Sequence, residues 1–381
     1  MISQASIIMS GIYLHIPFCK QACTYCDFHF STSLKRKDEM LSAMKRELEL
    51  RRNEVSSPVK TIYFGGGTPS LLRPREAGDL LSKIRDLFRV EKNAEITLEV
   101  NPDDLEGSLI REWADLGINR LSMGIQSFDE SDLKFMNRAH DRGQAIAALE
   151  EACRHFDNLS IDLIYGIPGR SRKDWKRNLE TAFEFPIQHI SSYALTVEPR
   201  TALAHQIRTG KCESPSEEEA LAHFEMLMEE ASRQGFLHYE VSNFAREGYL
   251  SRHNTSYWQG ETYLGIGPSA HSFSGDERSW NVSNNVKYIR ALKQGNLDRE
   301  REMLGTGEKL NELIMTRLRT MWGLSLVQIE REFGAKEKAR ILDRAGRFID
   351  RGLLHLSEDH LVADRSGFFL IDGIASDLFT D

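Results

Sequence analysis

The sequence predicts an α/β fold: a partial, TIM-like (β/α)6 barrel followed by a smaller, mainly helical, winged-helix-like C-terminal domain. Three observations carry this expectation. Short runs rich in β-branched and aromatic residues alternate with longer segments of helical apolar spacing over roughly the first 200 residues. Chemically informative residues recur at the ends of those runs. Beyond Pro199 the rhythm changes, and the final stretch reads as helices followed by two short strands.

Taken in order, strands are expected at 11–16, 60–64, 96–100, 119–124, 159–165 and 190–195. Helices are expected between them at 39–50, 77–88, 109–116, 144–153 and 175–183. Such alternation implies parallel strands joined by right-handed crossovers, and six units suit a partial barrel. Cys19, Gly65, Glu99, Gln126, Asp162 and Ala194 then lie at or just after C-terminal strand ends, the face where parallel barrels assemble their sites. Residues 217–234 read as one amphipathic helix, opened by Ser216 as N-cap with acids in its first turn. A stretch rich in glycine and aromatic residues follows at 239–280. Helices at 308–321, 326–333 and 335–351 then precede strand candidates at 353–357 and 360–363. The expected division is a barrel at 1–235, a connecting segment at 236–295 and a C-terminal domain at 296–381.

Composition narrows the class. The chain has 381 residues, 40% hydrophobic and 28% charged, as in an ordinary globular protein of two or three domains. Its net charge of -8, with acids and bases mixed throughout, argues against a nucleic-acid partner held by a basic surface. No stretch approaches the roughly 20 apolar residues that span a bilayer. The first residues lack a basic n-region, so the chain reads as untargeted and cytoplasmic. Of five cysteines, three fall within eight residues while Cys153 and Cys212 stand alone. That pattern suits a reducing compartment and one metal site rather than a disulfide scaffold.

Cys19, Cys23 and Cys26 form a C-x3-C-x2-C run directly after the first predicted strand. Three thiolates on one loop can each take one iron of a cubane, leaving the fourth iron without a protein ligand. A zinc site completed by His15 or His29 is the rival reading of the same spacing. With the aromatic Tyr25 before its last cysteine, the run resembles the signature of the radical S-adenosylmethionine (SAM) superfamily. The resemblance implies a [4Fe-4S] cluster whose open iron chelates the amino and carboxylate groups of SAM. An electron from that cluster then splits a carbon–sulfur bond to give a 5′-deoxyadenosyl radical, chemistry that belongs to the cofactor.

Gly65-Gly66-Gly67-Thr68-Pro69 reads equally as a strand-to-helix turn or as a loop that admits a ligand to the backbone. Placed after the cysteine loop, it resembles the superfamily's glycine motif for the methionyl amino group. Glu99, Gln126, Arg138 and Asp162 match, in order and spacing, the oxygen-independent coproporphyrinogen III oxidases and their relatives. That resemblance runs from Tyr13 to about Asp364. It implies SAM contacts at Tyr13, Gly66, Gly67, Thr68, Glu99, Gln126, Arg138 and Asp162, with Tyr25 near the adenine and Ala194 lining the cleft. Arg138 suits a carboxylate and Asp162 suits ribose hydroxyls.

Two features depart from the oxidases. They carry a further cysteine where this chain has Phe28, and an N-terminal extension before a loop that here opens at residue 19. A third feature points elsewhere. His253-Asn254-Thr255-Ser256-Tyr257-Trp258, an H-N-x-x-Y-W run, joins the Cys-Asp-Phe ending of the cysteine loop in resembling the HemW heme chaperone family. The resemblance implies His253 as an axial heme ligand, with Tyr257 and Trp258 facing the macrocycle. Without it the run would read as an aromatic core corner. The function implied is a heme chaperone that delivers heme to acceptor proteins, including respiratory and membrane-bound ones contacted peripherally. A flavodoxin or ferredoxin would serve as electron donor where SAM is cleaved. The alternative is a radical SAM enzyme acting on a porphyrinogen. Residues 265–273 read as a cleft-closing segment or a tight structural turn, and Cys153 as a core residue.

Overall fold

The computed structural model describes residues 9–105 and 107–380. Six strands lie side by side in sequence order, all parallel: β1 (Met9–Ile16), β2 (Val59–Gly66), β3 (Val90–Val100), β4 (Arg120–Gln126), β5 (Leu159–Tyr165) and β6 (His189–Ala194). The crossovers carry α1 (Lys37–Leu50), α2 (Pro74–Leu87), α3 (Leu109–Asp115), α4 (Glu130–Phe135), α5 (Arg142–Ala152) and α6 (Arg172–Phe183). The six-unit partial barrel read from the sequence is therefore present. Helix starts follow the capping chemistry: Asp141 with Gln144 opens α5, and Ser171 with Asp174 opens α6, each as a reciprocal box.

Side chains alternate along each strand, and the two faces differ in kind. One face, with Ile12, Leu14, Phe64, Leu98, Leu121 and Ile161, is buried in a single apolar core with Met44 and Leu48 of α1 and Leu80 of α2. The other face lines the lumen and is polar. Register places Thr61 beside Glu95, Glu99 beside Ser122, Ser122 beside Ser160, and Asp162 beside Ser191.

The sheet continues past both ends of the barrel. After α7 (Ala202–Arg208) and α8 (Glu217–Arg233), β7 (Leu237–Glu240) and β8 (Asn243–Ala245) add antiparallel strands beside β6. Ser216 caps α8 by accepting from the Glu219 amide, as its sequence predicts. The chain then forms α9 (Arg252–Trp258) and crosses to the opposite edge, where β9 (Thr262–Ile266) runs parallel to β1. Next come β10 (His271–Phe273), β11 (Glu277–Asn281), α10 (Asn285–Lys293) and β12 (Arg299–Met303), giving a 12-stranded sheet. Residues 236–295 thus supply β7 to β11 of the main sheet.

The C-terminal unit holds α11 (Thr306–Leu318), β13 (Leu324–Ser325), α12 (Leu326–Phe333), α13 (Ala335–Ile349), β14 (Leu354–Ser357), β15 (His360–Ala363) and α14 (Ile371–Asp377). Its strands form a separate sheet in the order β13-β15-β14, the winged-helix-like arrangement expected. Ile314, Ile329, Ile341 and Leu361 belong to the same apolar core as the barrel strands. Among the described residues no helix is long and apolar enough to cross a membrane.

Candidate functional site

The cysteine loop follows β1 and is ordered by what it rests on. The Thr24 amide donates to the Met136 carbonyl at 3.0 Å, and Thr24 Oγ1 to the Phe135 carbonyl at 3.1 Å. Gln21 Nε2 donates to the Asn137 carbonyl, and Asn137 Nδ2 returns a bond to the Ala22 carbonyl at 2.7 Å. Lys20 pairs with both Asp103 and Asp104. The Cys19, Cys23 and Cys26 thiols are free and half-buried. Arg138 reaches in so that Nη1 lies 3.4 Å from Cys23 Sγ, while its buried Nε has no acceptor among the described residues. Burial pushes the Cys19 thiol up to about 11, with Cys26 and Cys23 adding to the shift. Burial raises Cys26 as well. Among the described residues no three His, Cys, Asp or Glu side chains gather around one ion-sized point. A cubane asks for something else, one thiolate per iron around a wider body, with a cation at hand to offset its charge. The loop fits that group.

Beside the loop, the glycine run packs backbone against backbone. A Cβ on Gly67 would lie 2.6 Å from the Phe18 carbonyl oxygen, so only glycine permits the approach. The Gly67 and Thr68 amides donate to the Ile16 and Phe18 carbonyls at 2.9 and 2.7 Å. Gly66, at φ +107°, donates its amide to Glu99 Oε2 at 3.2 Å, and the Tyr63 hydroxyl donates to Oε1 at 2.8 Å. Burial, reinforced by the charge of Asp162, pushes Glu99 up to about 7. Asp162 rises to about 6 through burial, against the pull of Arg120. Asp162 lies at the middle of β5, one layer below the strand ends where its sequence context suggested it; Ser122 Oγ bonds it at 3.2 Å. Gln126 ends β4 beyond a register shift, at φ 64°, a strained turn that re-aims its side chain. Arg138 Nη2 donates to the Gly124 carbonyl and to Asn101 Oδ1, both at 2.8 Å. Asn101 in turn donates to Thr68 Oγ1. Tyr13 stacks on Tyr63 with ring centroids 6.0 Å apart, Tyr25 packs against the small apolar cluster that includes Leu133 and Met136, and Ala194 ends β6. Polar groups from β1 to β5 thus converge on one lumen beside the thiols.

The H-N-x-x-Y-W run forms α9, which plugs the opposite end of that lumen. Glu95 accepts from the Arg252 and His253 amides at 3.0 Å each, holding the helix start against β3. His253 is 1% exposed. One ring nitrogen meets Thr61 Oγ1 and the other the Tyr257 hydroxyl, both at 2.7 Å. Its ring stacks 4.9 Å from Tyr63. Burial, with Arg120 nearby, drops its pKa to about 3, so the imidazole is neutral. Trp258 faces the other way, under the Arg319 guanidinium at 5.2 Å. The three residues of the run therefore do not share one open face.

Arg120 and His189 are among the lumen residues that escaped the sequence reading. Arg120 is 1% exposed, and its Nε and Nη1 have no acceptor among the described residues. His189 mirrors His253, with Ser160 Oγ and the Tyr239 hydroxyl at 2.7 Å on its two ring nitrogens. The signal was the two-residue alternation in Arg120, Ser122 and Gly124, hidden in a run read only for its apolar members. His15 is a hydrogen-bonded lining residue, donating from Nε2 to the His29 carbonyl at 2.8 Å. Within the 265–273 segment, residues 267–270 connect β9 to β10, with the Gly267 amide bonded to Glu47. Cys153 packs against the main core, and Cys212 against a small apolar cluster around Leu203.

Residues 13–182 match the Radical SAM superfamily, and residues 307–370 match the HemN C-terminal domain. The heme chaperone HemW of Mycobacterium tuberculosis is 37% identical over 376 residues, covering 97% of this chain and 94% of that protein. The heme chaperone HemW of Bacillus subtilis is 31% identical over 367 residues, covering 95% and 97% respectively. Among solved structures, the radical SAM enzyme coproporphyrinogen III oxidase of Escherichia coli superposes with a TM-score of 0.84 at 25% identity, covering 99% of this chain and 92% of that one. With the cysteine loop, the six-stranded barrel and the C-terminal unit all accounted for, the chain belongs to the HemW heme chaperone family of the radical SAM superfamily.

Proposed function

We propose that this protein binds heme and passes it to acceptor proteins, respiratory ones among them, on a scaffold that carries one [4Fe-4S] cluster and SAM. The observation that carries the reading is likeness over nearly the whole chain to proteins named heme chaperone HemW. Cys19, Cys23 and Cys26 would hold the cluster, which when bound supplies one-electron chemistry to SAM. Arg138 would take the SAM carboxylate, Glu99 and the Gly66–Thr68 backbone its amino group, and Asp162 its ribose hydroxyls. Tyr13, Tyr25, Gln126 and Ala194 would shape and dry the pocket. His253, Tyr257 and Trp258 form the segment through which heme is handled, and ligation by His253 requires its bonds to Thr61 and Tyr257 to open first. The division into 1–235, 236–295 and 296–381 is on this reading a functional one: cofactor barrel, heme segment and C-terminal unit. A flavodoxin- or ferredoxin-type donor would reduce the cluster, and the work would be done in the cytoplasm, in peripheral contact with membrane-bound acceptors.

The likeness to coproporphyrinogen III oxidase supports a second reading, radical chemistry on a porphyrinogen. Phe28, exposed where the oxidases carry a further cysteine, speaks against it. Anaerobically reconstituted protein should hold about four irons and four sulfides, and lose them when the three cysteines become alanine. It should also bind hemin and yield it to an apo-acceptor. Rapid decarboxylation of coproporphyrinogen III without heme transfer would replace the first reading by the second.

A further inference from the structure

Heme uptake calls for an iron ligand that solvent can reach, and one edge of the sheet presents such a group. In the β1–β9 register Tyr13 faces Gly265, which puts the lumen side of β1 and that of β9 on one surface. Phe273 pairs with Tyr263, His271 with Trp280, and Phe273 with Arg278. Directly opposed residues, and residues two apart, share a face. Tyr263, Phe273, His271, Trp280 and Arg278 therefore stand together on the lumen side of β9 to β11. Leu264, Ser272, Ser279 and Asn281 point the other way and are buried. Ser272 and Asn281 are bonded there to Arg51 and Glu47, which fixes the edge in place.

The face is partly open. His271 is exposed, while Tyr263, Phe273 and Trp280 are half-exposed. Among the described residues no hydrogen bond engages the His271 ring. Partial desolvation of the ring, then Arg278, lowers its pKa, which favours the neutral, ligating form of the imidazole. The Trp280 ring lies beside it at 5.8 Å and 27°. Tyr263 and Phe273 are 6.4 Å apart, and Tyr263 meets Tyr257 of α9 at 4.4 Å. Three adjacent strands span about 10 Å, the width of a porphyrin ring. Arg278, paired with Glu312 at 2.5 Å, is the cation of the patch. Glu300 and Glu302, opposite Trp280 and Arg278 on β12, turn anionic substituents away from that side.

We propose that this aromatic face is where the protein takes up heme, with His271 as the iron ligand and Arg278 as the partner of a propionate. The inference rests on the heme-handling reading above and names its ligand. His253 lies on the same lumen side as the face but is sealed from solvent, and supports it through the contact of Tyr257 with Tyr263.

The test is a hemin titration of the anaerobically reconstituted full chain, followed in the Soret region. Wild type is expected to saturate at one hemin with an imidazole-ligated spectrum. His271→Ala should move the band and weaken binding at least about tenfold, and added imidazole should restore the band. Trp280→Ala should weaken binding a few-fold through lost stacking. Circular dichroism confirms that each variant is folded, and His271→Phe serves as a second substitution at the exposed site. A His271→Ala protein with the wild-type band and affinity overturns the assignment while leaving heme handling in place. Wild type that takes up no hemin overturns both.

Discussion

His253 is a neutral imidazole sealed between hydroxyls, and that state has a measurable cost in acid. Its folded pKa, about 3, lies below the usual 6.5. The unfolded chain therefore takes up a proton that the folded chain refuses. The stability this group contributes is complete above pH 6.5 and is lost as pH falls toward 3. Between pH 7 and pH 5 the loss amounts to about 2 kcal/mol. Urea unfolding of His253→Gln, which bonds without titrating, should show a correspondingly shallower pH dependence over that range; an equal slope would refute the burial argument. His253→Ala should cost about 2–4 kcal/mol, since it leaves a cavity and strands Thr61 Oγ1 and the Tyr257 hydroxyl. Glu99 runs the opposite way. Its pKa is raised from 4.5 to about 7, so its contribution is present below 4.5 and lost as pH rises through 7. In cofactor-free protein Glu99→Gln should therefore raise the melting temperature at pH 8 and not at pH 4, as calorimetry can check.

Among the elements, the cysteine loop depends most on its neighbours, because no regular structure holds it. Its template is the turn after α4, where Asn137 sits at φ 56° and exchanges two hydrogen bonds with Gln21 and Ala22. Asn137→Ala both strains that left-handed residue and removes one bond, a cost of about 1–3 kcal/mol at the loop. Reconstituted iron and sulfide content should fall. Asn137→Gly, which restores the conformation but not the bond, should recover part of it. Equal cluster yield in all three proteins would mean that the loop orders itself. The sequence exposes the loop but not this template, because the partners stand more than 110 positions away. Legibility follows element size. The runs that became β1 to β6 were readable because apolar residues mark one face of each strand. Strands of three residues, such as β8 and β10, show no alternation to read, and the seven residues of α9 are too few for a helical period. The spacing of the thiols marked them as one candidate metal site, though spacing alone left a cubane and a zinc ion both open. The polar lumen, with Arg120 and His189, could not, because each residue sits singly inside a strand and gains meaning only from its neighbours across the register.

A sheet of 12 strands has two edges, and the whole molecule treats them differently. At one end β12 presents the sequence Arg-Glu-Arg-Glu-Met, an edge charged enough to discourage pairing with another chain. At the other end β7 is covered by the C-terminal unit. Glu240 and Thr320 form an antiparallel bridge, the Met321 amide donates to the Tyr239 carbonyl, and the Val241 amide donates to the Arg319 carbonyl, both at 3.0 Å. Arg319 fastens this seam. Its Nε and Nη2 donate to Glu240 Oε1 at 3.2 and 3.0 Å, its guanidinium covers Trp258, and Nη1 pairs with Asp372. Glu240 is fully buried, so its carboxylate depends on that cation. Removing one partner of a buried pair is far costlier than the pair is worth, because the remaining charge has lost its compensation. Arg319→Ala should therefore destabilise the protein by about 3 kcal/mol. It should also loosen the C-terminal unit, so that limited proteolysis cuts near residue 304 sooner than in wild type. Asp372→Ala removes only an exposed partner and should cost no more than about 1 kcal/mol. If Arg319→Ala and Asp372→Ala unfold at the same denaturant midpoint, the buried carboxylate does not govern the seam, and the backbone bridge alone closes the sheet.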